Sequence, residues 1–130
     1  MKYILNISDA DGFFEKVKRD KMFAWKKSTS GLNLKYNGVF TVISNPKITL
    51  IKNSDTEIEI NIRSGLLVPI IAAAFTLFFW AMGIIAAVTQ KLSVPVIVIV
   101  FLLPMILWML HFLFNKVIGK QIIEHLKYIS

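Results

Sequence analysis

The sequence predicts an α+β membrane protein: a small N-terminal antiparallel β-meander with one helix, then a two-helix transmembrane hairpin and an amphipathic C-terminal helix. Three observations carry this. The charge is partitioned: residues 1–64 hold 11 of the 15 basic and 7 of the 8 acidic side chains, whereas residues 65–115 hold one charged side chain, Lys91. The stretches Gly65 to Gln90 and Leu92 to Phe114 are each long enough to cross a bilayer: a helix through the first would be about 39 Å long against a hydrocarbon core of about 30 Å. Finally, Glu57-Ile58-Glu59-Ile60-Asn61-Ile62-Arg63 alternates strictly, the period of a strand with one buried face. A water-soluble fold of 130 residues has no core large enough to enclose both apolar runs. The absence of cysteine excludes a disulfide scaffold, thiol chemistry and cysteine-ligated metal.

Within residues 1–64, a cytoplasmic α+β domain, Tyr3 to Ile7 reads as a strand. Ser8-Asp9-Ala10-Asp11 matches a helix-capping pattern, and a helix is expected from Phe13 to about Met22, with Glu15 and Arg19 as an i,i+4 pair. Ser28-Thr29-Ser30-Gly31 is a loop signal. Four strands are expected after it: one in which Leu32 and Leu34 alternate with Asn33 and Lys35; Val39 to Ser44 beyond an Asn37-Gly38 hairpin turn; Lys47 to Lys52; and the alternating run that ends at Arg63. The helix is expected to cover the apolar face of the meander. The opening residues lack the apolar core of a signal peptide and are followed by Asp9 and Asp11, so no cleaved leader is expected.

Residues 65–90 form the first expected span, residues 91–93 the turn and residues 94–114 the second span. Arg63, Lys116, Lys120 and Lys127 flank the pair, whereas the turn offers only Lys91, which places both termini in the cytoplasm. Pro69 and Pro95 fall near helix starts, where a missing N–H costs little; Pro104 falls mid-span and reads as a kink. Gly83 and Ala87 make a small-xxx-small pair suited to close helix packing, within the hairpin or against another subunit. Trp80 and Trp108 read as packing residues and His111 as an interfacial histidine. Residues 115–130 form a basic amphipathic tail, with Ile118, Ile122, Leu126 and Ile129 on one stripe; the tail has three homes open to it: the headgroup layer, the N-terminal domain or a partner helix.

The residues with chemical potential favour binding over catalysis. Glu57 and Glu59 share a strand face but are explained as its solvated side; Asp9 and Asp11 are explained by capping. His111 and His125 lack an evident third ligand, so no metal site is expected, and no cofactor-binding spacing is present. Candidate membrane-surface contacts are Lys18, Arg19, Lys21, Trp25, Lys26, Lys27, Arg63, Lys116, Lys120 and Lys127, where basic and aromatic side chains combine as in interfacial segments; the competing reading places Phe23 and Trp25 in the small core with solvated lysines. Candidate helix-packing positions are Gly83, Ala87 and Pro104. The expected function is that of a small, non-enzymatic integral membrane binding or accessory protein of the inner membrane. An immunity-type protein or a complex subunit would be a concrete version. Its partners would be membrane lipid and a protein, or a second copy through the hairpin, and not nucleic acid. The alternatives are an oligomeric channel or transporter subunit and an anionic-lipid-binding surface protein.

Overall fold

The computed structural model describes residues 1–38, 45–90 and 93–130. The elements in chain order are β1 (Lys2–Asn6), α1 (Ala10–Arg19), β2 (Phe23–Ser28), β3 (Gly31–Tyr36), β4 (Lys47–Ser54), β5 (Glu57–Arg63), α2 (Leu67–Gln90) and α3 (Val94–Ile129). They form two compact units: Met1–Gly65 together with Asn115–Ser130, and Leu66–Phe114.

The first unit is built on a five-stranded antiparallel sheet in the order β1-β5-β4-β3-β2. Alternation sorts its side chains. Leu5, Phe23, Leu32, Leu34, Ile48, Leu50, Ile58, Ile60 and Ile62 are all buried, and their cross-strand pairing puts them on one face. Ala10, Phe13 and Val17 of α1 complete this core from one side, as the sequence predicts for the helix. Ile118, Ile122, Ile123 and Leu126, from the last turns of α3, complete it as well. The tail therefore packs on the N-terminal sheet, one of the three homes open to it. It continues α3 as helix to Ile129 without a break at Gly119, whose missing side chain leaves room for the Met1 thioether.

Two boundaries differ from expectation. The first helix begins and ends three residues earlier than predicted, because Asp9 is its N-cap, accepting the Asp11 N–H at 3.0 Å, and Asp20 closes it. Beyond the expected end of that helix, Phe23–Ser28 form an edge strand that the sequence does not predict. Their partner is β3, and the Ser28–Gly31 loop is the turn joining the two. Gly31 is required there: a Cβ would stand 1.8 Å from the Leu50 carbonyl oxygen across the pairing. The expected strand Val39 to Ser44 lies outside the described residues; so do residues 91 and 92 of the expected turn.

The second unit contains α2 and most of α3, two helices long and apolar enough to cross a membrane. Pro69 and Pro95 lie in their first turns, while Pro104 lies inside α3 and is buried. The helices approach closely at Gly83, where a Cβ would come within 2.7 Å of Val100 Cγ1. Trp80 packs on Phe101, with ring centroids 6.0 Å apart, and the Trp108 indole N–H donates to Thr76 Oγ1 at 3.1 Å. Thr76 in turn donates to the Ala72 carbonyl, so its hydroxyl both accepts and donates. Ala87 is half-buried on α2. Most of the remaining side chains of this unit are apolar and exposed: Val88 and Phe112 are 77% and 70% accessible.

Candidate functional site

The basic residues singled out in the sequence do not form one surface. Lys18 and Trp25 are brought together, with the Lys18 ammonium 5.4 Å from the indole centroid. With Phe14, Lys27, Ser30 and Lys52 they line a cleft of about 380 Å³ beside the β2–β3 turn. The charges in this cleft are largely answered. Lys18 is paired with Glu15, whose carboxyl it holds below the ordinary value through their hydrogen bond. Lys52 bridges Asp11 and Asp55, at 3.0 and 2.8 Å. Hydrogen bonds to these two carboxylates, that of Asp55 first, raise the Lys52 pKa. Trp25 is 47% exposed whereas Phe23 is buried, so the two aromatics divide: Phe23 packs in the core, against Tyr36 and His125, and Trp25 sits at its rim.

Strand alternation turns Lys26 to the opposite, open face of the sheet, away from Trp25 and Lys27. Arg19 and Lys21 are exposed at and just beyond the end of α1. Lys116, Lys120 and Lys127 are exposed on α3, outside the stripe that enters the core; Lys127 stands over the Tyr3 ring at 4.8 Å. Arg63, the last residue of β5, belongs to the open face.

Three basic residues outside the sequence-predicted contacts belong to that open face, Lys2, Lys35 and Lys47, and of these Lys2 is paired with Glu59. Lys35 is directly opposite Lys47, and Lys47 directly opposite Arg63. Three cations thus form a row across three adjacent strands, within about 10 Å by the strand spacing. Like charges placed directly opposite destabilise a sheet. Among the described residues none of the three is in an ion pair. The carboxylates of this face lie farther along the strands: Glu59 is bound to Lys2 at 2.9 Å, and Glu57 accepts from the Asn53 amide at 2.8 Å. The usable signal for the row was strand alternation around Leu34 and Ile48, which puts Lys35 and Lys47 on the outward face. An intervening strand at 39–44 in the sequence reading hid their adjacency.

The groups with potential for acid–base or metal chemistry are occupied structurally. His125 Nε2 lies 2.9 Å from Asp20 Oδ2, and Glu57 and Glu59 are engaged as above. His111 meets Trp108 edge-on, with centroids 6.3 Å apart. Among the described residues no group of three His, Cys, Asp or Glu side chains is placed to hold a metal ion. Comparison with protein-family models, curated proteins and solved structures gave no match to this chain.

Proposed function

We propose that this chain is a small integral membrane protein with a binding or accessory role and no catalytic one, anchored by α2 and α3, and that both termini are cytoplasmic. The observation that carries the reading is the construction of the first unit from both flanks of the apolar helices, Met1–Gly65 and Asn115–Ser130. A domain folded from the two ends of a helical pair needs both ends on one side of a bilayer, as two antiparallel crossings provide. The exposed apolar surface of α2 and α3 supports lipid as their solvent, since both backbones are internally hydrogen-bonded as helices. The basic flanks Arg63, Lys116, Lys120 and Lys127 orient the pair with the domain inside.

The binding role is supported by the engagement of Glu57, Glu59 and His125 in structural pairs, which leaves the domain to act as a presented surface. Gly83 meets Val100 of the same chain. This favours a hairpin packed on itself, with a protein partner met through the domain, over a pore assembled through the small-residue face. The test is alkaline carbonate extraction of membranes containing the full chain, together with protease protection of tags at either end. Retention in the pellet with both tags degraded only from the cytoplasmic side is expected. Release by carbonate would sink the anchoring, and a protected tag would sink the topology. Affinity purification from native membranes that retained no other protein would count against the accessory role.

A further inference from the structure

We propose that the row Lys35–Lys47–Arg63, with the hollow beside it, binds the phosphate of an anionic lipid headgroup. The inference rests on the membrane reading above and adds a ligand site to it. The row is a sheet feature with a cost and no internal compensation: three directly opposed cations, all exposed, none in an ion pair among the described residues. An external anion removes the repulsion. The Lys18–Trp25 cleft, by contrast, carries its own carboxylates, and its demand for an anion is correspondingly small.

The hollow beside the row has a volume of about 490 Å³ and is lined by Asn33, Lys35, Asn45, Pro46, Lys47 and Thr49. Its polar groups are oriented. Thr49 Oγ1 donates to Asn33 Oδ1 at 3.1 Å, which commits the Asn33 oxygen and leaves its Nδ2 hydrogens for an acceptor. A phosphate oxygen is such an acceptor, with the two ammonium groups supplying charge-assisted bonds. Lys26, opposite Asn33 in the next row, extends the positive field on the same face. The choice of lipid over a soluble phosphate follows from the chain itself. Arg63 precedes Leu67, the first residue of α2, by four positions, and a chain of that length spans at most about 14 Å. A cation tethered so near the end of an apolar helix meets headgroup phosphates at high local concentration.

The full chain, purified in a neutral detergent, is titrated with phosphatidylglycerol and with phosphatidylcholine. A lysine or arginine near an anionic lipid surface contributes about fivefold in affinity. Lys47→Gln is therefore expected to weaken phosphatidylglycerol binding about fivefold, and the triple substitution of Lys35, Lys47 and Arg63 by Gln about 100-fold, with phosphatidylcholine unaffected. Lys16→Gln, the same charge change on the exposed side of α1, is expected to leave binding unchanged. Lys47→Arg is expected to retain it, which separates loss of charge from loss of fold. Equal binding by the triple variant and the parent, or equal weakening by Lys16→Gln, overturns the site. Displacement of the lipid by an equal concentration of glycerol phosphate overturns the assignment to lipid in favour of a free phosphate. Carbonate extraction of the same variants keeps the readings apart: a triple variant that stays in the membrane pellet but binds phosphatidylglycerol as the parent does refutes the site and leaves the anchoring intact.

Discussion

His125 Nε2 lies 2.9 Å from Asp20 Oδ2, joining residues 105 apart in sequence. Asp20 is the residue that closes α1, and its other carboxylate oxygen accepts the Met22 N–H at 2.7 Å. One side chain thus shapes the passage from α1 into β2 and clasps the end of α3. Both partners are partly shielded from solvent, so the bond is worth about 1–2 kcal/mol. His125→Ala should lower the melting temperature of the domain by several degrees, at about 4–8 °C per kcal/mol for a domain of this size class. Asp20→Ala should cost more, because it also orphans the Met22 N–H. A double-mutant cycle followed by circular dichroism in detergent measures the difference; additive effects would show that the clasp carries no coupling.

The core contains residues from both ends of the chain, which makes the domain dependent on its tail. Ile122 and Leu126 are fully buried against the sheet. Truncating a buried isoleucine or leucine to alanine costs about 2–5 kcal/mol, a large part of the stability of a domain this small. Ile122→Ala should accelerate amide exchange in β4 and β5, far away in sequence. Unchanged exchange at Leu50 and Ile60 would mean that the sheet stands without the tail.

Lys52, Asp55 and Asp11 form an exposed clip between β4, the β4–β5 turn and α1. The Asp55 carboxyl is held below its ordinary value of 3.8 by its hydrogen bond to Lys52. Its contribution is therefore complete above that value and is lost as pH falls through the depressed folded pKa. The Lys52 ammonium is raised above 10.5 by hydrogen bonds to Asp55 and then Asp11. Its contribution is complete below 10.5 and is lost as pH rises through the elevated value. Lys52→Gln should flatten both limbs of a stability–pH profile and change little near neutrality, where an exposed clip contributes modestly. A profile unchanged by the substitution at either extreme would rule the clip out as a source of pH dependence.

The legible parts of the fold are those set by local periodicity. Ile58, Ile60 and Ile62 alternate with polar residues and are buried as a set, and the two uncharged runs are helical. Asp9 caps α1 because its side chain needs only the neighbouring N–H groups. The strand Phe23–Ser28 was obscured by its edge position: only Phe23 of its six residues is buried, so it shows almost no alternation. The docking of the tail was a choice between surfaces, and an amphipathic stripe does not say which surface it meets; Met1 beside Gly119 and Asp20 beside His125 decide it only in three dimensions. The cation row was concealed for the same reason, since Lys35, Lys47 and Arg63 are neighbours only through pairing register.

Gly83 and Val100 set the separation of α2 and α3. A Cβ at position 83 would lie 2.7 Å from Val100 Cγ1, closer than unstrained carbon atoms approach, and a larger side chain would have to push the helices apart. Close approach is what small residues contribute to helix pairs in lipid, where dispersion and hydrogen bonds do most of the work. Gly83→Ala should be absorbed in part by rotation of the Val100 side chain. Gly83→Leu should separate the helices, break the Trp108–Thr76 hydrogen bond and loosen Trp80 from Phe101. Thr76→Val removes that interhelical hydrogen bond, at about 0.6 kcal/mol on the scale of such bonds in membrane helices, together with the Thr76 bond to the Ala72 carbonyl within α2. The graded series Gly83, Gly83→Ala, Gly83→Leu is read by tryptophan emission in a Trp25→Phe background, which leaves Trp80 and Trp108 as the reporters. Emission should shift progressively along the series, and Thr76→Val should reproduce only the Trp108 part. If Gly83→Leu leaves both the emission and the thermal stability unchanged, the Gly83–Val100 approach does not hold this helix pair together.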